Sequence, residues 1–376
     1  WYTPRKKSNA HLDNQKGNQM KSISVIMIAI IYLIIMGCGG SVVSSPDDRT
    51  GASTCQWELD EEFDGFQKAF LLNYLGGVHK DETGLWITAT GNDRAHLFHH
   101  TNAGWEDIPF GNYRSAYYIK PDDKGDKYIM AIDSLSRYVL LKQSDSQWIT
   151  IPGPTEAMLL NDFVIKDNSI LAVGLDNEDN PQLWKKNSMG WNAVKLPLKS
   201  NYRIVKIATK GDQLLIAGNV WDPESGFIDC FLFTGPDWQE QKLPSNCKML
   251  FDLAPVVNSG LAYISAVSDD NQGMLISATG KISFPAYLST ENRGWSFVRM
   301  LKNNDLLWLS SIMPQGAEKD TKEPNLTLVA ETILHPRDQN KLSIISKQAT
   351  IPLDLWVAAD GTHAHLTTVN ELYSCK

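Results

Sequence analysis

The sequence predicts an all-β domain with the architecture of a seven-bladed β-propeller, with six or eight blades as alternatives. One repeated signal is a tryptophan shortly before an Ile-Pro or Leu-Pro step, at spacings of 43, 43 and 47 residues: Trp105, Trp148, Trp191 and Trp238. A second is a hairpin pattern in which apolar and polar residues alternate about a turn rich in Asp, Gly or Asn. Four-stranded units that repeat about every 45 residues are typical of propellers.

The hairpin pattern predicts the two inner strands of each blade, A and B, counted outward from the central channel. It occurs seven times, at residues 78–89, 117–132, 163–174, 204–218, 253–266, 298–311 and 355–368. The tryptophan segment then predicts the outermost strand, D. No long stretch with a 3.6-residue apolar period occurs outside residues 23–36, so we expect nearly no helix in the domain.

The two ends of the domain predict how the ring closes. After the seventh hairpin only Asn370 to Lys376 remain, which is enough for strand C of the last blade but not for strand D. The segment around Trp57, CQWELDEEF, is similar to a strand D that has no A, B or C before it. We therefore expect this amino-terminal strand to complete the last blade and to cover its open edge.

The segment before the domain predicts an export signal. Residues 23–36 are apolar and uncharged, but too short for a membrane-spanning helix, which needs roughly 20 apolar residues. Lys21 precedes this run, and it ends in Ile35-Met36-Gly37-Cys38. A basic end, a short apolar run and a small boundary residue are typical of signal peptides. The last four residues resemble the lipobox of bacterial lipoproteins, which implies cleavage before Cys38 and lipid attachment to its sulfur.

This resemblance divides the chain into four parts. Residues 1–19 are interpreted as non-native upstream or disordered sequence, 20–37 as the lipoprotein signal peptide, 38–54 as a flexible tether and 55–376 as the propeller domain. It implies an exported protein held on a membrane by its lipid, at the outer membrane if the source is Gram-negative. Four cysteines then remain, and an even number in an exported protein predicts two disulfides.

The order of the strands favours one pairing of these cysteines. Cys55, early in the closing strand D, and Cys375, late in strand C, would face each other across the last blade. Cys230, just after the fourth B–C loop, and Cys247, just after the fourth strand D, would lie at the same face of the ring. Cross-pairing stays an alternative that would join distant blades.

Composition disfavours several partners and cofactors. The exported part would carry 30 basic and 42 acidic side chains, so neither nucleic acid nor an anionic membrane surface is the expected partner. No Cys-x-x-Cys pair or Cys/His cluster at zinc spacing occurs, and we predict neither a metal site nor a cofactor. The histidines are interpreted as strand-surface residues: His79, His96, His99, His100, His363 and His365.

Two kinds of connection, D–A and B–C, are expected on one face of the ring. Every B–C loop carries an acid, which we interpret as turn chemistry, with an acidic rim for a cation as the alternative. The D–A loops place a tyrosine and a basic residue at the start of two inner strands: Tyr113 with Arg114, and Tyr202 with Arg203. These four residues are the predicted ligand-binding rim.

The turn-plus-tryptophan pattern resembles divergent Asp-box propellers such as the photosystem II assembly factors. Asp-box-like turns occur in HTNAGW, from His100, and STENRGW, from Ser289, although the complete motif of the sialidases does not occur. The resemblance implies a binding scaffold for an envelope protein or a glycan rather than an enzyme, and no catalytic residue is assigned. The alternative is a propeller glycan hydrolase or lyase that uses acids of the B–C loops.

Overall fold

A computed structural model describes residues 57–375 except 93, 146, 256–261, 279–286, 301–305, 313–326, 334–339, 347–350 and 359–362. These ranges contain 27 strands and one short helix. The strands form six sheets. Among the described residues, no helix has the length and apolar character needed to cross a membrane. The signal segment, Cys38 and Cys55 lie outside the described residues.

The described chain begins with strand β1 (Trp57–Leu59) and helix α1 (Glu61–Gln67). The prediction extended the strand to Phe63, but the chain turns into α1 at Asp60. The Asp60 carboxylate caps the helix by accepting a hydrogen bond from the Phe63 N–H at 2.9 Å. Phe63 is buried against Phe98 and Trp105, with ring centroids 5.8 and 4.7 Å away. This packing holds the short helix on the first sheet.

The first four sheets each contain four antiparallel strands in chain order, as the repeat predicts. The first two sheets comprise β2 (Leu72–Asp81), β3 (Gly84–Gly91), β4 (Ala95–Thr101), β5 (Gly104–Asp107), β6 (Tyr113–Pro121), β7 (Lys127–Asp133), β8 (Tyr138–Ser144) and β9 (Gln147–Pro152). The third and fourth comprise β10 (Ala157–Lys166), β11 (Ser169–Asp176), β12 (Pro181–Asn187), β13 (Gly190–Val194), β14 (Tyr202–Lys210), β15 (Gln213–Asp222), β16 (Gly226–Gly235) and β17 (Gln239–Gln241).

The fifth sheet has seven strands, and it corrects the predicted blade count. It comprises β18 (Cys247–Pro255), β19 (Ala262–Ser268), β20 (Gln272–Ala278), β21 (Tyr287–Met300), β22 (Leu306–Ile312), β23 (Thr327–Ile333) and β24 (Asn340–Ser346). Strand β21 pairs with β20 through its first half and with β22 through its second half. The predicted turn at STENRGW is instead part of this continuous strand. The prediction of seven blades is therefore wrong: the described residues form six sheets, which agrees with the alternative of six blades.

The sixth sheet closes the ring in the way that the chain ends predict. It comprises β25 (Pro352–Val357), β26 (Ala364–Thr368), β27 (Leu372–Cys375) and, as its outer strand, β1. Trp57 lies opposite Cys375 in this antiparallel pair. Cys375 is disulfide-bonded. Its predicted partner, Cys55, lies outside the described residues, so that pairing stays a prediction.

All seven predicted hairpins are antiparallel strand pairs in the structure. Trp105, Trp148 and Trp191 lie in outer strands as expected, and Trp238 directly precedes the short outer strand β17. Apolar side chains are buried between neighbouring sheets, as in the cluster that joins Leu215 and Leu232 of the fourth sheet to Leu250 and Ile264 of the fifth. Burial of these apolar side chains is the main force that holds the sheets together.

Candidate functional site: the loop face and the axial charge ring

The D–A and B–C connections that the structure describes lie on one face of the ring, which we call the loop face. Arg114, at the start of an inner strand, donates a hydrogen bond to the hydroxyl of Ser136 in the β7–β8 loop at 2.7 Å. Arg203, at the start of another, binds the carboxylate of Asp179 in the β11–β12 loop at 2.7 Å. Both contacts join the beginning of a strand A to a B–C loop, so the two kinds of connection meet there.

The first predicted pair lies at the edge of the second sheet. The Tyr113 ring stacks on Phe110 at 5.6 Å, and its hydroxyl is hydrogen-bonded to the hydroxyl of Thr150 at 2.7 Å. The Arg114 side chain is exposed and reaches across to Ser136. The tyrosine is therefore fixed by packing, whereas the arginine presents its charge to solvent.

The second predicted pair lies in the equivalent place on the fourth sheet. Tyr202 packs on Phe231 with ring centroids 4.9 Å apart, and burial raises the pKa of its hydroxyl. Arg203 is mostly covered, with 19% of its side chain exposed, whereas its partner Asp179 is 51% exposed. The two predicted pairs lie on different sheets, so they form two separate parts of the loop face.

Three loop acids have the local role that turn chemistry predicts. Asp133 accepts hydrogen bonds from the N–H groups of Leu135 and Arg137, both at 2.9 Å. Asp176 and Asp222 likewise accept hydrogen bonds from backbone N–H groups of their own loops, at 2.8 to 3.0 Å. The N–H groups of Ser225 and Glu224 hold the pKa of Asp222 below its usual range. These carboxylates shape the loops that carry them.

The histidines of the first sheet pair with carboxylates. His96 lies 3.2 Å from Asp107, and His100 lies 3.4 Å from Glu62 of α1. His99 stacks on the indole of Trp86 at 3.7 Å. Within the described ranges, no group of three His, Cys, Asp or Glu side chains could hold a metal ion.

Six charged side chains of the inner strands form a second candidate region, which we call the axial charge ring. In chain order, basic and acidic residues alternate: Lys120, Asp162, Lys206, Asp252, Arg299 and Asp354. Lys206 of the fourth sheet lies 5.3 Å from the Tyr118 ring of the second sheet. The third sheet lies between these two sheets. A contact across it is possible only near the axis of the ring, where the inner strands converge, so these residues lie there.

Neighbouring members of the axial charge ring bind one another. Lys120 binds Asp162, and Arg299 binds Asp252. The longer distances are 3.6 Å from Lys206 to Asp252 and 3.5 Å from Arg299 to Asp354. The Asp162 and Asp252 side chains are almost completely buried. Charges buried in this way are tolerated only where opposite charges and hydrogen bonds compensate them.

The electrostatics of the ring favour the charged forms of Asp252 and Lys206. Burial alone would raise the pKa of Asp252, but the charges of Arg299 and Lys206 outweigh it and hold the pKa below its usual range. Burial alone would lower the pKa of Lys206, but Asp252 and neighbouring groups raise it. The ring is therefore a set of mutually compensated ions with three positive and three negative members.

Sequence analysis did not predict the axial charge ring, although a signal for it is present. Its members follow one another at spacings of 42, 44, 46, 47 and 55 residues, close to the blade repeat. Each lies in an inner strand. An ionisable residue that recurs with alternating sign in inner strands is the pattern that would have indicated the ring.

The sheets, their order and their closure define this chain as a β-propeller. No family model matches the sequence, and no curated protein matches it significantly. Solved structures with the same fold include selenomethionine-substituted virginiamycin B lyase from Staphylococcus aureus, which is 11% identical with a TM-score of 0.55, covering 86% of this chain and 98% of that one. The Dos1 propeller is 8% identical with a TM-score of 0.52, covering 85% and 94%. The Neurospora crassa Pan2 WD40 domain is 11% identical with a TM-score of 0.53, covering 87% and 97%. At such low identities the likeness extends to the fold alone.

Proposed function

We propose that this chain is an exported, lipid-anchored propeller that binds a protein or a glycan of the cell envelope. Cys38 would carry the lipid, and residues 38–54 would tether the domain to the membrane. The propeller would act as a binding scaffold through its loop face, without chemistry of its own.

The observation that carries the proposal is the disulfide between Cys230 and Cys247. Their sulfurs are bonded and their Cα atoms lie 5.6 Å apart, joining the fourth sheet to the fifth. Disulfides persist in exported proteins and are rare in the reducing cytosol. The bond therefore supports an oxidising location, in agreement with the export signal that the sequence predicts.

The loop face supports a binding role. Tyr113 and Tyr202 are held by packing and hydrogen bonding, and each has an arginine next to it in the chain. Aromatic and arginine side chains are enriched among the residues that contribute most to binding interfaces. A rigid ring that fixes such side chains loses less conformational entropy when a partner binds.

The anchor is tested with the variant Cys38→Ser in cells labelled with an alkyne fatty acid. We expect the variant to incorporate no label and to leave the membrane fraction, because the lipid needs the thiol and provides the attachment. A matched Ser41→Ala variant should keep both label and location. Labelling of the Cys38→Ser protein at the wild-type level would contradict the anchor.

The rim is tested by affinity capture from solubilised membranes with the double variant Arg114→Ala and Arg203→Ala. We expect it to lose proteins or glycans that the wild type captures. Lys185→Ala, an exposed basic residue on β12, is the matched control and should capture the same set. If the double variant also captures that set, the predicted rim is wrong.

A further inference from the structure

The B–C hairpin of the fourth sheet projects farther on the loop face than that of the third sheet. Gly174 in β11 and Gly218 in β15 occupy equivalent places in their sheets. A Cβ on Gly174 would lie 1.8 Å, and one on Gly218 would lie 2.1 Å, from a backbone oxygen of the neighbouring inner strand. Strand β11 continues for two residues, to Asp176, whereas β15 continues for four, to Asp222. At about 3.4 Å per residue, the fourth sheet therefore reaches about 7 Å farther. We call residues 219–230 the projecting hairpin.

The base of the projecting hairpin is fixed to the neighbouring sheet. The side chain of Asn219 accepts a hydrogen bond from the Leu250 N–H at 2.6 Å and donates one to the Leu250 carbonyl at 3.1 Å. Cys230, opposite Asn219 in the strand pair, forms the disulfide to Cys247. The hairpin is therefore held in one position before any partner arrives, which reduces the entropy lost on binding.

The outer part of the projecting hairpin carries apolar side chains at the surface. Trp221 and Phe227 lie opposite each other, with ring centroids 5.0 Å apart in an edge-to-face arrangement, and both are half-buried. Ile228 follows and is 46% exposed. An aromatic pair beside an exposed aliphatic residue supplies apolar contact area of the kind that anchors protein interfaces.

The two loop segments around this apolar part are acidic, although Arg203 lies opposite Asn219 at the base of the hairpin. The projecting hairpin contains no lysine or arginine, and neither does the next B–C loop, residues 268–273. Four exposed carboxylates lie in the two segments: Glu224, Asp229, Asp269 and Asp270. Burial and the nearby Asp269 raise the pKa of Asp229, which indicates that these like charges are close enough to interact. A cationic partner would relieve this repulsion.

From these observations we infer that the projecting hairpin is a docking ridge for a polypeptide segment that carries Lys or Arg side chains around an apolar residue. The apolar residue would pack on Trp221, Phe227 and Ile228, and the basic side chains would bind the flanking carboxylates. This inference rests on the proposed binding function and gives the chemistry of one partner. Charge complementarity of this kind gives specificity and faster association.

The test uses the full-length protein in detergent and three fluorescent peptides. The peptides share leucine and phenylalanine at the same positions and carry lysine, serine or glutamate at the others. We expect the lysine peptide to bind at least about tenfold more tightly than the glutamate peptide, with affinity that falls as salt increases. The double variant Trp221→Ala and Phe227→Ala should weaken binding by about tenfold or more. The double variant Glu224→Gln and Asp229→Asn should reduce both affinity and its salt dependence.

Two controls make the result decisive. Met189→Ala removes an apolar side chain that is 90% exposed in a C–D turn on the opposite face, and it should bind the lysine peptide like the wild type. Each variant must retain the Cys230–Cys247 bond, measured by mass spectrometry without reduction. Equal binding of the lysine and glutamate peptides, unchanged binding by the aromatic variant, or preference for anionic lipid vesicles over the lysine peptide would overturn the inference. Because no membrane attachment is needed here, failure of the lipid anchor is a separate outcome.

Discussion

Aspartate has opposite roles at the axis of the ring and on the loop face. At the axis, each of three carboxylates accepts a hydrogen bond from a backbone N–H of the next inner strand around the ring: Asp162 from Ile207, Asp252 from Val298 and Asp354 from Val78. On the loop face, Asp133, Asp176 and Asp222 accept N–H groups of their own loops. The axial aspartates therefore join parts of the ring that are distant in sequence, and the loop aspartates stabilise local turns.

From this difference we expect a change at a loop aspartate to lower the stability of the ring less than a change in the axial charge ring. A change at a loop aspartate removes local hydrogen bonds that water can replace. A change in the axial charge ring leaves an opposite charge buried with too few partners. The first and last of the four predictions below test this difference, and all four are ordered from the largest expected effect to the smallest.

The largest effect is expected from Arg299→Met. The side chain of Arg299 is 27% exposed and binds both Asp252 and Asp354, so its removal leaves two carboxylates without this cation. We expect a loss of about 3–5 kcal/mol in the free energy of unfolding, measured in urea. Arg137→Met is the matched control, since Arg137 is 69% exposed and its pair with Asp133 should contribute less than about 1 kcal/mol. Equal losses from the two variants would contradict the distinction.

The disulfide between sheets should give the next largest effect. The double variant Cys230→Ser and Cys247→Ser opens a loop with a sequence separation of 17 residues. We expect a loss of about 3 kcal/mol in the free energy of unfolding, chiefly because the unfolded chain gains freedom. Urea unfolding of the variant and of the wild type, without reductant, gives the measurement. An unchanged unfolding midpoint would show that the bond does not stabilise the ring.

Acid should lower the stability of the propeller, because it protonates a carboxylate whose pKa is lowered by folding. Burial alone would raise the pKa of Asp81, but Lys127 and Thr83 lower it to about 2. A carboxyl whose pKa is lowered by folding stabilises the protein above its unfolded pKa, about 3.9, and loses that contribution as the pH falls toward the folded value. We expect Asp81 to contribute at most about 2 kcal/mol, lost between about pH 4 and pH 2. Asp81→Asn should flatten the dependence of the unfolding free energy on pH in this window, and an unchanged slope would contradict this assignment.

The smallest effect is expected on the loop face. Asp176→Ala removes the acceptor for the N–H groups of Glu178 and Asn180, both at 2.9 Å. Because Glu178 is exposed and water can replace part of these bonds, we expect a loss of about 1 kcal/mol in the free energy of unfolding. Urea unfolding beside Arg299→Met provides the comparison. A loss as large as that of Arg299→Met would show that loop and axial aspartates contribute equally to stability, and it would contradict the distinction.

Much of the fold could be predicted from the sequence because its signals are local. Alternating apolar residues and turn residues predicted the hairpins, and the unpaired strand at Trp57 predicted the closure of the ring. The Cys230–Cys247 bond followed from strand order. The helix α1 was missed because seven residues are too few to show a helical period, although Asp60 carries the capping signal.

The rest depends on contacts that no local pattern contains. The segment from Ser289 to Trp295 has the composition of a turn, yet β21 continues through it and joins two sets of strands into one sheet. The axial charge ring was missed because its ions compensate one another only after the ring closes. Tyr113 and Tyr202 begin the inner strands β6 and β14, and their role as a ligand-binding rim stays a prediction.

The central claim is that axial carboxylates link inner strands that are distant in sequence, whereas Asp133, Asp176 and Asp222 shape their own loops. Amide hydrogen exchange in Asp252→Asn, compared with Asp222→Asn and the wild type, tests it most directly. We predict that Asp252→Asn accelerates exchange at Val298, in a later inner strand, and that Asp222→Asn accelerates exchange only at Glu224 and Ser225. Unchanged exchange at Val298 in Asp252→Asn, or faster exchange there in Asp222→Asn, would contradict the account.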